Sequence, residues 1–113
     1  MGKDNGTYFM ISRKRLKEKF KEKQYRDAYI KRSNREYIAY QIRKIRGTKT
    51  QTEFADMLGT RQTIISRIEN PNYEGITLNT ITELAAKSGL AVYIEIVTPN
   101  EFIEMSRIRT EKE

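Results

Sequence analysis

Apolar positions along this chain recur mostly with the period of a helix, and the residues between the periodic stretches are helix stoppers and caps. In residues 50–58, Phe54, Ala55 and Leu58 stand at i, i+1 and i+4, one face of a helix. Gly59 follows, the residue type that ends a helix in the left-handed conformation. Thr60 then offers a cap for a second short helix over 61–69, with Ile65 and Ile68 turned inward and Ile64 at the edge. Upstream, Ser33 to Glu36 has capping-box form, and Ile38, Ile42 and Ile45 keep an i, i+4, i+7 face, which predicts a helix ending near Arg46. Gly47 ends it, and Thr48 and Lys49 form the turn. Downstream, Asn70 and Pro71 stop the second short helix, 70–76 reads as a loop, and Thr77 caps a helix over 78–88 that buries Ile81, Leu84 and Ala85 before Gly89.

The ends of the chain follow different patterns. Residues 90–97 alternate and are rich in β-branched side chains, with Leu90, Val92, Ile94 and Ile96 on one side, so a strand is predicted. A lone strand leaves backbone groups unsatisfied. Its partner would be the β-prone run 7–11, the same strand of a second copy, or another protein. The run 7–11 reads equally as a few apolar residues packed on a helix. Thr98 to Glu101 repeats the capping-box form with Pro99 at the first helical position, predicting a helix over 99–109 with Phe102, Ile103, Met105 and Ile108 on its apolar side. Residues 110–113 are expected to fray, and 1–6 to be a disordered start. Residues 13–23 are strongly helix-forming with Leu16 and Phe20 as a narrow seam, and Tyr25, Ala28 and Tyr29 continue the helix to about Arg32.

Charge changes this picture at the N-terminal end. The formal net charge is +7, yet residues 12–35 hold 11 Lys/Arg and 3 Asp/Glu, while 36–113 hold 10 and 11. Long-range attraction to a polyanion would therefore come mainly from the N-terminal segment. That run reads as a solvated face, a non-specific phosphate contact or a protein-docking arm. Neither cysteine nor histidine is present, which removes disulfides, thiolate zinc sites and the commonest general base. Glu53, Asp56 and Glu83 show no pairing pattern, so the sequence gives no catalytic set, and no cofactor or metal is expected. No apolar run approaches the roughly 20 residues that span a bilayer, and no signal-peptide core is visible, so a cytoplasmic location is expected.

Two short helices joined by a tight Gly turn, with small Ala55 at their crossing, have the form of a helix-turn-helix, whose second helix enters the DNA major groove. Gln51, Ala55, Gly59, Gln62, Ile65, Ser66 and Glu69 resemble, in type and spacing, the pattern of the Cro/cI-type (Xre) helix-turn-helix proteins, a likeness covering roughly 37–97. The resemblance implies a mainly α fold: a lambda-repressor-like bundle of four to five helices, with an N-terminal helical extension, a C-terminal β-strand and a short terminal helix. The domains expected are a basic extension over 1–33, a DNA-binding domain over 34–89, and a strand and helix over 90–113 for dimerisation or partner contact.

In that docking mode Gln62, Thr63, Ser66 and Arg67 would read bases: Gln62 suits adenine, Arg67 guanine, and the Thr63 methyl a thymine methyl. Gln51 resembles the family glutamine that meets a phosphate and supports the residue at the Gln62 position. Thr50 and Arg61 are phosphate candidates, and Lys49, Arg43 and Tyr73 weaker ones. Family members often bury an Arg–Glu pair, which would here be Arg46 with Glu69; Lys44 is the rival for the cation. The turn at 47–49 is shorter than in many family members. The implied function is a sequence-specific repressor binding double-stranded DNA as a homodimer, in the cytoplasm of a bacterium or its phage, associated with the nucleoid. The alternative is an antitoxin, because the plan also resembles the HigA-type proteins, which bind a RelE-like (HigB) toxin and their own operator.

Overall fold

The computed structural model describes residues 11–105 and the backbone of 110–111. The expectations for 1–10, for 106–109 including Ile108, and for 112–113 lie outside the described residues. The fold is mainly helical, with six helices and almost no strand among the described residues: β1 (Ile11–Ser12), α1 (Arg13–Lys19), α2 (Lys23–Arg46), α3 (Gln51–Leu58), α4 (Gln62–Ile68), α5 (Leu78–Lys87), α6 (Pro99–Met105) and β2 (Thr110–Glu111). The chain divides into two compact units, one of residues 1–33 with 95–113 and one of 34–94.

In the unit of 34–94, Ile42 of α2, Phe54, Ala55 and Leu58 of α3, Ile65 and Ile68 of α4 and Leu84 of α5 share one buried cluster, with Ile38, Ile45 and Ile81 packed at its edge. These are the periodic positions of the sequence. Each large side chain so buried contributes on the order of 1.5–3 kcal/mol. Thr50 caps α3 in a full capping box: its hydroxyl accepts from the Glu53 N–H at 3.0 Å, and the Glu53 carboxylate accepts from the Thr50 N–H at 2.8 Å. α3 closes on Gly59, whose φ of +68° is the left-handed conformation. The Thr60 N–H reaches the Ala55 carbonyl at 2.9 Å and the Gly59 N–H the Asp56 carbonyl at 3.2 Å, the crossed pair of a Schellman turn. Thr60 is thereby used to close α3, and the expected Thr60 cap of α4 is replaced by Arg61, which makes no side-chain cap hydrogen bond.

The helix expected to begin at Ser33 does not begin there. α2 runs unbroken from Lys23 to Arg46, and Glu36 is buried within it instead of capping an N-terminus. Strong helix formers on both sides of 33–36 outweigh a local cap. The strand expected at 90–97 is also absent. The segment takes no regular secondary structure and enters no ladder among the described residues, and Tyr93 and Ile96 are 81% and 98% exposed. The run 7–11, one expected partner, is described only at Ile11, which pairs instead with Thr110 in a parallel register, with Ser12 against Glu111. Residues 110–111, expected to fray, are therefore in β2.

In the other unit, Leu16, Phe20 and Ile103 form the buried cluster, with Tyr25, Tyr29, Ile30 and Phe102 around it. The single helix expected over 13–32 is broken after Lys19. Phe20 meets Tyr29 edge to face, with ring centroids 5.5 Å apart. In a straight helix residues nine apart are separated by roughly 13 Å along the axis, so the chain must bend for the rings to touch. Lys21 and Glu22 make that bend through N–H bonds back to the carbonyls of Glu18 and Lys19. α6 starts at the Thr98 capping box, with Thr98 N–H to Glu101 at 2.9 Å and Glu101 N–H to the Thr98 hydroxyl at 3.2 Å. Lys17 of α1 pairs with Glu104 of α6 at 2.6 Å. No helix among the described residues is long and apolar enough to cross a membrane.

This unit carries a pH dependence. The Thr98 backbone and side-chain hydrogen bonds hold the Glu101 carboxyl below its usual range, and the Lys17 hydrogen bond and charge do the same for Glu104. A carboxylate depressed in the folded state stabilises fully above the unfolded pKa, about 4.3 for Glu, and that share is lost as pH falls through the lower folded value. The thermal midpoint should fall between about pH 5 and pH 3, and fall less in a Glu101→Gln, Glu104→Gln variant. Parallel acid limbs in melts followed by circular dichroism would exclude these two groups as the cause.

Candidate nucleic-acid interface

α4 is held by Ile65 and Ile68, both buried, which leaves its opposite face to solvent. Gln62, Thr63 and Arg67 are exposed and Ser66 is half-buried. At 100° per residue these four positions fall within an arc of roughly 140°. The structure thus brings the four candidate base readers to one ridge, with amide, hydroxyl, methyl and guanidinium groups presented side by side.

The orientation of that ridge is set by a chain of hydrogen bonds that starts at Glu69, just past α4. Its carboxylate is buried, with a side-chain exposure of 5% against 20% for its partner Arg46. Arg46 donates to it twice, Nε to Oε2 at 2.8 Å and Nη2 to Oε1 at 3.0 Å. The hydrogen bond to Glu69 raises the Arg46 pKa above its ordinary range, with burial opposing. Lys44, the rival, lies instead over the Tyr40 ring at 5.9 Å from the centroid.

Glu69 Oε1 also accepts from Gln51 Nε2 at 3.1 Å, and Gln51 Oε1 accepts from Gln62 Nε2 at 2.7 Å. The direction of this chain follows from chemistry. An ionised carboxylate only accepts, so Gln51 must turn its NH₂ toward Glu69 and its oxygen toward Gln62. That oxygen only accepts, so Gln62 must turn its own NH₂ inward. Gln62 keeps one N–H and its carbonyl oxygen uncommitted by this chain, a donor beside an acceptor, which is the complement of the adenine N7 and N6–H₂ edge.

Thr50 is the cap of α3, at the end where a helix dipole favours an anion. Lys49 and Arg61 are exposed on either side of α3. Lys49 also accepts from Arg46 Nη1 through its carbonyl at 2.6 Å. Arg43 donates from Nη1 to the Glu69 carbonyl at 3.1 Å, which ties it to the end of α4. Tyr73 lies beneath Arg67, whose guanidinium carbon is 5.4 Å from the ring centroid.

Several contacts escape a sequence reading. The Glu53 contact, missed above where Glu53 shows no pairing pattern, had a local signal, because Thr50 to Glu53 has capping-box form. The Gln51–Glu69 bond, the Arg43 contact with the Glu69 carbonyl and the Arg35 Nε contact with the Pro71 carbonyl, at 2.6 Å, had none. They join residues 18, 26 and 36 apart, and no local pattern encodes such separations.

Removing one partner of a buried ion pair strands the other. Glu69→Ala should destabilise the unit of 34–94 by about 3 kcal/mol, the low end for such pairs because one flank of Arg46 is solvated. Gln51→Ala, which removes neutral hydrogen bonds, should cost about 1 kcal/mol. Chemical denaturation giving Glu69→Ala the stability of the parent would contradict this assignment. Comparison of the chain with protein-family models, with curated proteins and with solved structures yields no match.

Proposed function

We propose that this chain is a sequence-specific DNA-binding transcriptional regulator of the helix-turn-helix type, with α3 and α4 as the two helices of the motif and α4 in the major groove. The observation that carries this reading is the exposed ridge of Gln62, Thr63, Ser66 and Arg67 on a helix whose other face is fixed in a core. The oriented Gln62 amide adds to it, because a group held in one donor–acceptor polarity before contact loses less freedom on binding. Thr50, Gln51 and Arg61 serve the phosphates flanking the groove, and the basic run 12–35 supplies long-range attraction. The role is binding, not catalysis, and a repressor of this kind works in the cytoplasm on its own operator.

A palindromic operator asks for a two-fold dimer. The segment 90–97, which enters no ladder among the described residues and leaves Leu90, Tyr93, Ile94 and Ile96 exposed, supports pairing with a second copy. The same segment supports the second reading, an antitoxin-regulator in which a RelE-like toxin covers it. Co-expression with such a toxin that leaves 90–97 as open to proteolysis as in the chain alone would remove that second reading.

The test of the main reading is selection of preferred sites from random duplexes, followed by fluorescence anisotropy. The Gln62→Ala, Arg67→Ala variant should bind the selected site at least about tenfold more weakly, because each base pairing is worth about 1–3 kcal/mol of discrimination. Its binding to random DNA should change little, and both should weaken steeply with salt. Equal affinity of parent and variant for the selected site would exclude α4 as the reader.

A further inference from the structure

The loop that follows α4 bears on Arg67. Its first residues are fixed: Arg35 Nε donates to the Pro71 carbonyl at 2.6 Å, the Asn72 N–H reaches the Asn70 side-chain oxygen at 3.0 Å, and the Tyr73 N–H reaches the Asn70 carbonyl at 3.0 Å. The Tyr73 ring then lies across Gly75. A Cβ on residue 75 would stand 2.5 Å from the Tyr73 hydroxyl oxygen and 2.7 Å from its Cζ, closer than any side chain tolerates. The ring occupies this place because Gly75 has no side chain, and in this place it carries the Arg67 guanidinium over its face.

This contact differs in kind from those of the neighbouring arginines. Arg35, Arg43 and Arg46 spend N–H donors on the Pro71 carbonyl, the Glu69 carbonyl and the Glu69 carboxylate. Arg67 makes no such hydrogen bond among the described residues. A π-face restrains a guanidinium through its charge and consumes no donor. Arg67 is therefore restrained and still has its fork of N–H groups to offer, which is what bidentate recognition of guanine O6 and N7 requires.

We propose that Tyr73 is the positioning residue for Arg67, and that Tyr73 and Gly75 together set the guanine preference of the base-reading ridge. This rests on the reading of α4 as the recognition helix. It assigns Tyr73 to Arg67 and not to a phosphate, and the two roles separate by chemistry. A phosphate contact uses the hydroxyl, whereas a platform uses the ring, so Tyr73→Phe keeps the platform and loses the phosphate contact.

The experiment measures affinity of the full chain for its selected site and for that site with guanine changed to adenine at the position whose preference Arg67→Ala abolishes. Tyr73→Leu should reduce the discrimination by about fivefold, the scale of a partly exposed cation–π contact. Gly75→Ala should act in the same direction by displacing the ring, and Tyr73→Phe should discriminate like the parent. In the Arg67→Ala background Tyr73→Leu should add nothing. Melts accompany each variant, and Gly75→Ala stands in if Tyr73→Leu fails to fold. Unchanged discrimination in both Tyr73→Leu and Gly75→Ala, a loss in Tyr73→Phe equal to that in Tyr73→Leu, or additive losses with Arg67→Ala would overturn the proposal. A parent with no base preference, or one that Arg67→Ala does not alter, would instead sink the underlying reading of α4 and this inference with it.

Discussion

A buried carboxylate must have partners, and Glu69 takes its partners from every element around it. Arg46 comes from the end of α2, Gln51 from the start of α3, and Glu69 itself closes α4, where Arg43 holds its carbonyl. An unpaired carboxylate at this depth would be strongly unfavourable. Three helices are therefore tied at one point by a requirement that apolar packing does not impose. Apolar packing alone would allow α4 some rotation, since Ile64, Ile65 and Ile68 are similar in size and shape. The hydrogen-bond chain removes that freedom and carries the constraint outward to Gln62. Charge buried for structural reasons thus determines which polar atoms the surface presents.

The unit of 1–33 with 95–113 is built differently. Its cluster is aromatic and aliphatic, and the ion pairs that accompany it, such as Lys17–Glu104, are solvent-exposed and individually weak. Lys23 with Asp27 is an i, i+4 pair that supports α2, and Lys21 with Glu18 an exposed pair at the bend after α1; both are local. With 10 cations against 3 acids in 12–33, local pairing leaves a large positive surplus. Such a surplus acts at a distance and without sequence preference, whereas the α4 ridge would act at contact. The two units divide attraction and reading between them in the proposed function.

Where the sequence could be read, a local physical signal was present. The periodic apolar face of α3, the Gly59 stop, the Thr98 capping box and the inward Ile65 and Ile68 all follow from residues within one or two turns. The break after Lys19 carries no Gly or Pro, because it is imposed by Phe20 meeting Tyr29 and by Leu16 meeting Ile103. The capping-box form at Ser33 misled for the complementary reason: a cap pattern matters only if the preceding residues leave the helix, and these do not. Residues 90–97 have the composition of a strand, but a strand exists only with a partner, and composition cannot supply one. In the candidate interface the outward residues of α4 were legible from periodicity, while the Gln51–Glu69 bond and the Tyr73–Arg67 contact depend on tertiary placement.

In the proposed function nucleic acid is met by the α4 ridge and not by the basic segment alone. The direct measurement is a titration of the ¹⁵N-labelled full chain with a short B-form duplex, followed by amide and side-chain NMR shifts. The largest changes should cluster at Thr50, Gln51, Gln62, Thr63, Ser66 and Arg67, with the Gln51 and Gln62 side-chain amides among them. Changes confined to 13–35, with α4 and both glutamine side chains silent at saturation, would contradict it.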